Sequence, residues 1–394
     1  MGLAAGSAHL APFADVRHES PSPSPRISFV VPVYGVERFL GECLESLLAH
    51  PGGDIEVVAV DDASPDGCGA ILDAFAARDP RVRPVHLTVN VGLGGARNAG
   101  LAQAKGDYVW YIDSDDWIPD GAVRAVLDRL ALHQPDVLIV DHAEVFGDGS
   151  VVPRVSAGLL GDAPTPLHLS RRPELLRLAQ SACTKIARRS FLEENDLRFH
   201  AGWYEDAAYS HPLLMTADSI DVLDLVCYKY RQQTPGAITA SVSTRHFEVF
   251  EQYDRVFAAV EKAGGKLETF RPELFRLMIN HYLVIIGHDR RLGQSMRKAF
   301  FRRIAEDYRR RLPEGGYLPP GGLGGLKHRL VRYNAYGAYT LLRVAHRLTS
   351  QRLAALRGSR QAAPALRLPV PTSGVAAVPR QRAETDAAVL DPTP

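Results

Sequence analysis

The chain has 394 residues, of which 46% are hydrophobic and 23% charged, and a formal net charge of +1. That is apolar material for a large core and length for two domains, and the balanced charge excludes a whole-chain attraction to nucleic acid. Four scattered cysteines without a C-x-x-C pair speak against a disulfide framework or a zinc site and fit a reducing cytoplasm.

The first 14 residues lack the basic start and apolar run of a signal peptide. No stretch reaches the ~18 successive apolar residues of a membrane span, so no transmembrane helix is expected. The Ser-Pro repeats at 20–25 read as the end of a mobile tail, 1–25. Ile27 to Val33 then reads as a strand, and a helix from Glu37 carries Phe39, Leu40, Cys43, Leu44, Leu47 and Leu48 on one face. Ile55 to Val60 is a second strand, closed by Asp61-Asp62. A helix striped by Ile71, Leu72 and Phe75 leads to a third strand, Val82 to Leu87, and a glycine-rich loop opens a helix from Gly94 to Ala104. Tyr108 to Ile112 is a fourth strand, followed by a helix with Val123, Val126, Leu127 and Leu130 on its inner face and a fifth strand, Val137 to Val140. This alternation predicts an α/β fold with a mostly parallel sheet covered on both faces.

After Asp141 the pattern loosens, and helices resume near Pro173. From Arg245 onward the periodicity is helical, which places a domain boundary near 240–246 and a helical region over 241–360. Its end, Leu326 to Arg360, interleaves Lys327, Arg329, Arg332, Arg343 and Arg347 with apolar residues and has no acid. It reads as a basic amphipathic helix or helix pair, suited to an anionic membrane surface or to packing with a basic outer face. Residues 361–394 are rich in proline and alanine and read as a disordered tail.

The chemistry is concentrated where strands end. The fourth strand runs into Asp113-Ser114-Asp115-Asp116, and carboxylates crowded there are costly unless a cation sits among them. Ligands of α/β sheets bind at the strands' carboxyl ends, and hard oxygens suit Mg²⁺ or Mn²⁺ carrying a phosphate. The plainer alternative is a solvated acidic turn capping the next helix. The loop Asn90 to Gly100 mimics a dinucleotide fingerprint, but Arg97 stands where the third glycine belongs and the loop follows the third strand, not the first. Trp203-Tyr204-Glu205-Asp206 sets two carboxylates beside two aromatics, a pattern for a sugar-stacking general base or simply for acids in a helix's first turn.

Taken in order, Val30 to Glu37, Asp61 to Gly67, Asn90 to Asn98, Asp113 to Asp116 and Glu205-Asp206 resemble the family-2 glycosyltransferases over about residues 26–240. The resemblance implies the GT-A fold, a non-processive inverting transfer from a nucleotide-diphosphate sugar such as a UDP-sugar, and a divalent metal. By position it implies that Pro32, Tyr34 and Glu37 border the base and that Asp62 contacts it, with Arg97 on the nucleotide side and Ser114 beside it. Asp115 with Asp113 would hold the metal, Asp206 would be the catalytic base, and Trp203, Tyr204 and Glu205 would face the acceptor. Gly35 and Ala63 depart from the usual pattern, and no Q-x-x-R-W follows Asp206. Asn195 to His200 and Arg245 to Phe250 look like the glycosyltransferase modules of actinobacterial cell-wall glycopolymer proteins. Synthesis of a wall or surface glycan, in the cytoplasm or on the inner face of the membrane, is the matching expectation. A nucleotidyl or alditol-phosphate transferase, or a non-catalytic nucleotide-binding module, would share the metal-side carboxylates.

Overall fold

The computed structural model describes residues 27–161, 165–232 and 241–361. The tails expected at 1–25 and 361–394 lie outside these, except Gln361. Strands β1 (Ile27–Val33), β2 (Ile55–Asp61), β3 (Val82–His86) and β4 (Tyr108–Tyr111) alternate with helices α1 (Glu37–Leu48), α2 (Cys68–Arg78) and α3 (Gly92–Gln103). Helix α4 (Ala122–His133) leads to β5 (Val137–Val145), β6 (Val151–Val152), a single turn α5 (Ala157–Leu160), β7 (Lys185–Arg188), α6 (Arg189–Glu194), α7 (Glu205–Thr216) and β8 (Ile220–Arg231).

These strands form one sheet in the order β3-β2-β1-β4-β7-β5-β6, with β8 also pairing β5. β1, β2, β3 and β4 are mutually parallel and β8 runs parallel to β5, while β7 is antiparallel to both of its neighbours. The register decides where the chemistry sits. Val33 pairs with Asp61 and Val30 with Tyr111, so Asp61-Asp62 and Asp113 emerge at one edge.

Alternation along the buried strands feeds a core on each face. Ile27, Phe29, Val31 and Val33 pack with Leu40, Leu44 and Val126 on one side, and Val30, Val109 and Tyr111 join the other. That second core continues into α8 (Glu248–Lys262), α9 (Arg271–Gly287), α10 (Gln294–Arg311) and α11 (Gly322–Arg332), through Phe250, Tyr253, Phe275, Phe300 and Val331. The change near 240–246 is therefore a change of architecture inside one packed body. The chain divides into compact units after Thr340 instead. Val249, Phe257, Ile279 and Ile304 are all fully buried in the same core as Val30, Val109 and Tyr111 of the sheet. The expected basic segment is a helix pair, α11 and α12 (Tyr336–Gln361). Among the described residues no helix is long and apolar enough to cross a membrane.

Candidate active site

The main-chain bond from Ile112 N to Val30 O, 3.0 Å, carries the β4 pairing one residue past the strand, and the chain then turns through Asp113 to Asp116. The carboxylates of this turn do different things. Asp116 is buried and faces inward, its Oδ2 accepting from the Tyr228 hydroxyl at 2.5 Å and its Oδ1 from the Arg231 amide at 2.7 Å. Burial, and then Asp115 and Asp113, push its carboxyl well above the usual range. It pins the turn to β8, leaving Asp113 and Asp115 to face the cavity.

The cation that these acids require is supplied by the chain itself. Arg97, 1% exposed, donates from Nη2 to Asp113 Oδ1 at 2.8 Å and from Nη1 to Asp206 Oδ1 at 2.6 Å and Glu205 Oε1 at 3.0 Å. Its guanidinium also lies over the Phe199 ring, 4.9 Å from the centroid. Helix α3 brings it there by close approach: a Cβ on Gly94 would stand 2.7 Å from His200 O. Asn98 then clasps Phe199 in both directions, Nδ2 to the carbonyl at 2.8 Å and Oδ1 from the amide at 3.0 Å. The segment leading to Asp206 is thereby clamped to the helix that carries Arg97.

Gly202 and Tyr204 both take positive φ, +106° and +65°, and deliver Glu205 and Asp206 into the first turn of α7, where the helix dipole favours carboxylates. Burial, and then the Asp206 charge, raise Glu205 against the pull of Arg97, and the Glu205 carboxyl is pushed up to about 7. Asp206, a quarter exposed, is raised by its low-dielectric surroundings while Arg97 pulls it down. A second buried cation, Lys185 on β7, donates to the carbonyls of Ala179 at 2.7 Å and Ser181 at 2.9 Å, and burial lowers it to about 8.

One cavity of about 1050 Å³ collects these groups. Pro32, Tyr34, Asp62, Arg97, Asp113, Ser114, Asp115, Trp203, Tyr204, Glu205 and Asp206 all line it, so acids separated by about ninety positions in sequence share one wall. Two residues expected to contact the nucleotide also hold protein partners. Glu37 is not among the lining residues; its carboxylate accepts from Gly67 N at 3.0 Å while its own amide donates to Asp66, closing a small neighbouring pocket. Asp62 is 2% exposed and its two oxygens accept from the amides of Val91, 2.7 Å, and Gly92, 2.9 Å, so it shapes the glycine-rich turn. Arg97 lies between the acids and not on the nucleotide side alone. Lys185, His281 and Arg291 belong to the site or its support and were not singled out in the sequence, while Phe199 and Arg245 lie in segments noted there only for a family likeness. Lys185 carried no clear local signal, since it opens a four-residue strand that has a cation at each end. His211, on α7 itself, is buried, with Gln180 Nε2 3.0 Å from its Nε2, and burial lowers its pKa to about 3.

The fit of a divalent ion rests on charge and donor type. Three carboxylates on one guanidinium leave uncompensated negative charge, and Asp113 and Asp115 offer two hard oxygen donors. Among the described residues no group of three or more His, Cys, Asp or Glu side chains forms a metal cage. Two such donors would leave most of the coordination of a Mg²⁺ or Mn²⁺ ion to a ligand's oxygens or water.

Comparison with known proteins bears on this geometry. Residues 28–195 match the model of the glycosyl transferase family 2. The chain is 29% identical over 219 residues to the uncharacterized glycosyltransferase EpsJ of Bacillus subtilis, covering 55% of this chain and 63% of that protein. It is 34% identical over 180 residues to the succinoglycan biosynthesis protein ExoO of Rhizobium meliloti, 44% and 51% of the two chains. With the poly(ribitol-phosphate) β-N-acetylglucosaminyltransferase TarS of Staphylococcus aureus it shares 28% identity over 253 residues, 62% and 41%. The chain thus spans less than two thirds of each of these relatives. The crystal structure of S. aureus TarS 1-349 in complex with UDP has the same fold, with a TM-score of 0.63 at 24% identity over 82% of this chain and 92% of that one.

Proposed function

We propose, from the premise that the chain belongs to the family-2 glycosyltransferases through its GT-A domain, that it moves a sugar from a nucleotide-diphosphate donor to an acceptor hydroxyl with inversion. The observation that supports this reading most is the Arg97 guanidinium, which ties Asp113 to Asp206 within one cavity. Pro32 and Tyr34 would border the base, and Ser114 the nucleotide. A Mn²⁺ or Mg²⁺ ion held by Asp113 and Asp115 would supply Lewis-acid stabilisation of the leaving diphosphate. Asp206 takes the proton of the attacking hydroxyl as the oxygen bonds to the anomeric carbon. The bond from that carbon to the diphosphate oxygen breaks, and its electron pair leaves with the diphosphate. Arg97 orients Asp206 for this and pulls its carboxyl down against the burial that raises it. Trp203 and Tyr204, which line the same cavity, would lie on the acceptor side.

UDP is the proposed nucleotide, supported by the fold shared with a UDP-bound relative. A wall or surface glycan is the proposed product, supported by relatives in succinoglycan and poly(ribitol-phosphate) chemistry. The basic α11–α12 segment suggests action at an anionic membrane surface on the cytoplasmic side. A thermal-shift panel of nucleotide sugars with Mn²⁺ or Mg²⁺ tests the donor, because a ligand bound only by the folded state raises the melting temperature. Mass spectrometry of the product then separates an added sugar from an added phosphodiester, and the phosphodiester would contradict the reading.

A further inference from the structure

Lys185 is the buried charge that the transfer chemistry above leaves unused. It opens β7, which lies between β4 and β5 inside the sheet, and it is 1% exposed. An ammonium has three protons to donate, and these go to three neutral oxygens: Ala179 O at 2.7 Å, Ser181 O at 2.9 Å and Thr184 Oγ1 at 3.3 Å. Sinking a cation into a sheet on neutral partners alone is costly. A methionine would fill the same space without that cost, so packing does not account for the charge.

The three bonds gather one wall of the cavity. Leu178, Ala179, Gln180 and Ser181 line it together with Asp206. Ala182 follows, and its amide favours the ionised Asp206 carboxylate. From the opposite side Ser210 donates its hydroxyl to Gln180 O, so the turn is strapped both to β7 and to α7, the helix that carries Asp206. The charges that bear on Asp206 come from each element around it: Arg97 on α3, Asp113 beyond β4, Lys185 on β7 and Glu205, adjacent on α7. Arg97 is divided among three carboxylates. Lys185 is not. The ionisable groups beside it, Cys183, His142 of β5 and His211 of α7, are held neutral by burial, which leaves Asp206 as the carboxylate that its charge reaches.

We propose that Lys185 is a positioning residue for the proton transfer: it fixes the 179–184 turn against Asp206, and its charge, bonded to no acid, favours that base in the form that accepts a proton. This rests on Asp206 being the base of the transfer reaction. Carbon-13 NMR of the full-length, metal-free protein labelled at the aspartate carboxyls tests it, with Asp206 assigned by the signal that Asp206→Asn removes. In Lys185→Met the Asp206 carboxyl should titrate about one pH unit higher than in the wild type, roughly a tenfold gain in proton affinity. Linkage makes the effect reciprocal, so in Asp206→Asn the Lys185 ammonium, followed by nitrogen-15 NMR, should lose its proton about one pH unit lower. That second measurement leaves Lys185 in place and decides the matter if Lys185→Met does not fold. An Asp206 midpoint unmoved in folded Lys185→Met, or a Lys185 midpoint unmoved in Asp206→Asn, would overturn the proposal, because a lysine that only fills space and bonds the turn would move neither. Sugar transfer that survives in Asp206→Asn while the two midpoints remain coupled would instead count against the base reading and leave the coupling standing.

Discussion

Arg97 balances three carboxylates with one charge, and its planar fork is what lets it reach Asp113 and Asp206 together. Arg97→Lys keeps the charge and loses the bridge, so UDP affinity in Mn²⁺ and turnover should both fall. Breaking buried pairs of this kind costs about 3–5 kcal/mol, visible as a lower urea midpoint; an unchanged midpoint would mean that the bridge carries no stability. Asp115→Ala should weaken UDP binding in Mn²⁺ and leave metal-free binding nearly as it was, by calorimetry. Glu205 sets a pH dependence. Its folded carboxyl is raised to about 7, so its contribution to stability is complete below the unfolded value of about 4.3 and is lost as pH rises through about 7. Glu205→Gln should flatten the stability profile between those limits, and a profile as steep as that of the wild type would place the titration elsewhere.

At the level of elements, α3 positions Arg97 because its glycines let backbone approach backbone. A Cβ on Gly100 would stand 2.4 Å from Val30 Cγ1 in the middle of β1. Gly100→Ala should therefore lower stability by about 1–3 kcal/mol through overpacking, measured by chemical denaturation; a neutral effect would show slack between helix and sheet. Strands β1 to β4 and their helices were legible in the sequence as short runs bounded by turn residues. The start of α3 was not, since Gly92 and Leu93 look like loop and are helix. β7 and β8 escaped for different reasons. Lys185–Arg188 is four residues with a cation at each end, and Ile220–Arg231 is interrupted by Asp221, Asp224 and Lys229. The metal-side and base carboxylates were legible as residues, but their convergence was not. Arg97 meets partners 16, 108 and 109 positions away, and nothing local announces pairings across that distance.

The whole molecule places this site in a body that runs to Thr340, with a basic helical segment at its end. In α11 the buried face is His328 and Val331, while Arg329 and Arg332 are exposed. Full-length protein should co-sediment with phosphatidylglycerol vesicles, less so as salt shortens the Debye length from about 10 Å to about 3 Å, and less in Arg329→Glu/Arg332→Glu. Equal binding to neutral vesicles would remove the electrostatic argument. The account as a whole depends on Asp113 and Asp115 serving the donor while Asp206 serves only the acceptor's proton. The measurement that reaches this most directly is donor affinity and sugar transfer in Asp206→Asn. The donor should bind as it does to the wild type while transfer drops about 10²- to 10⁴-fold; transfer that survives, or donor binding that collapses with it, would contradict the account.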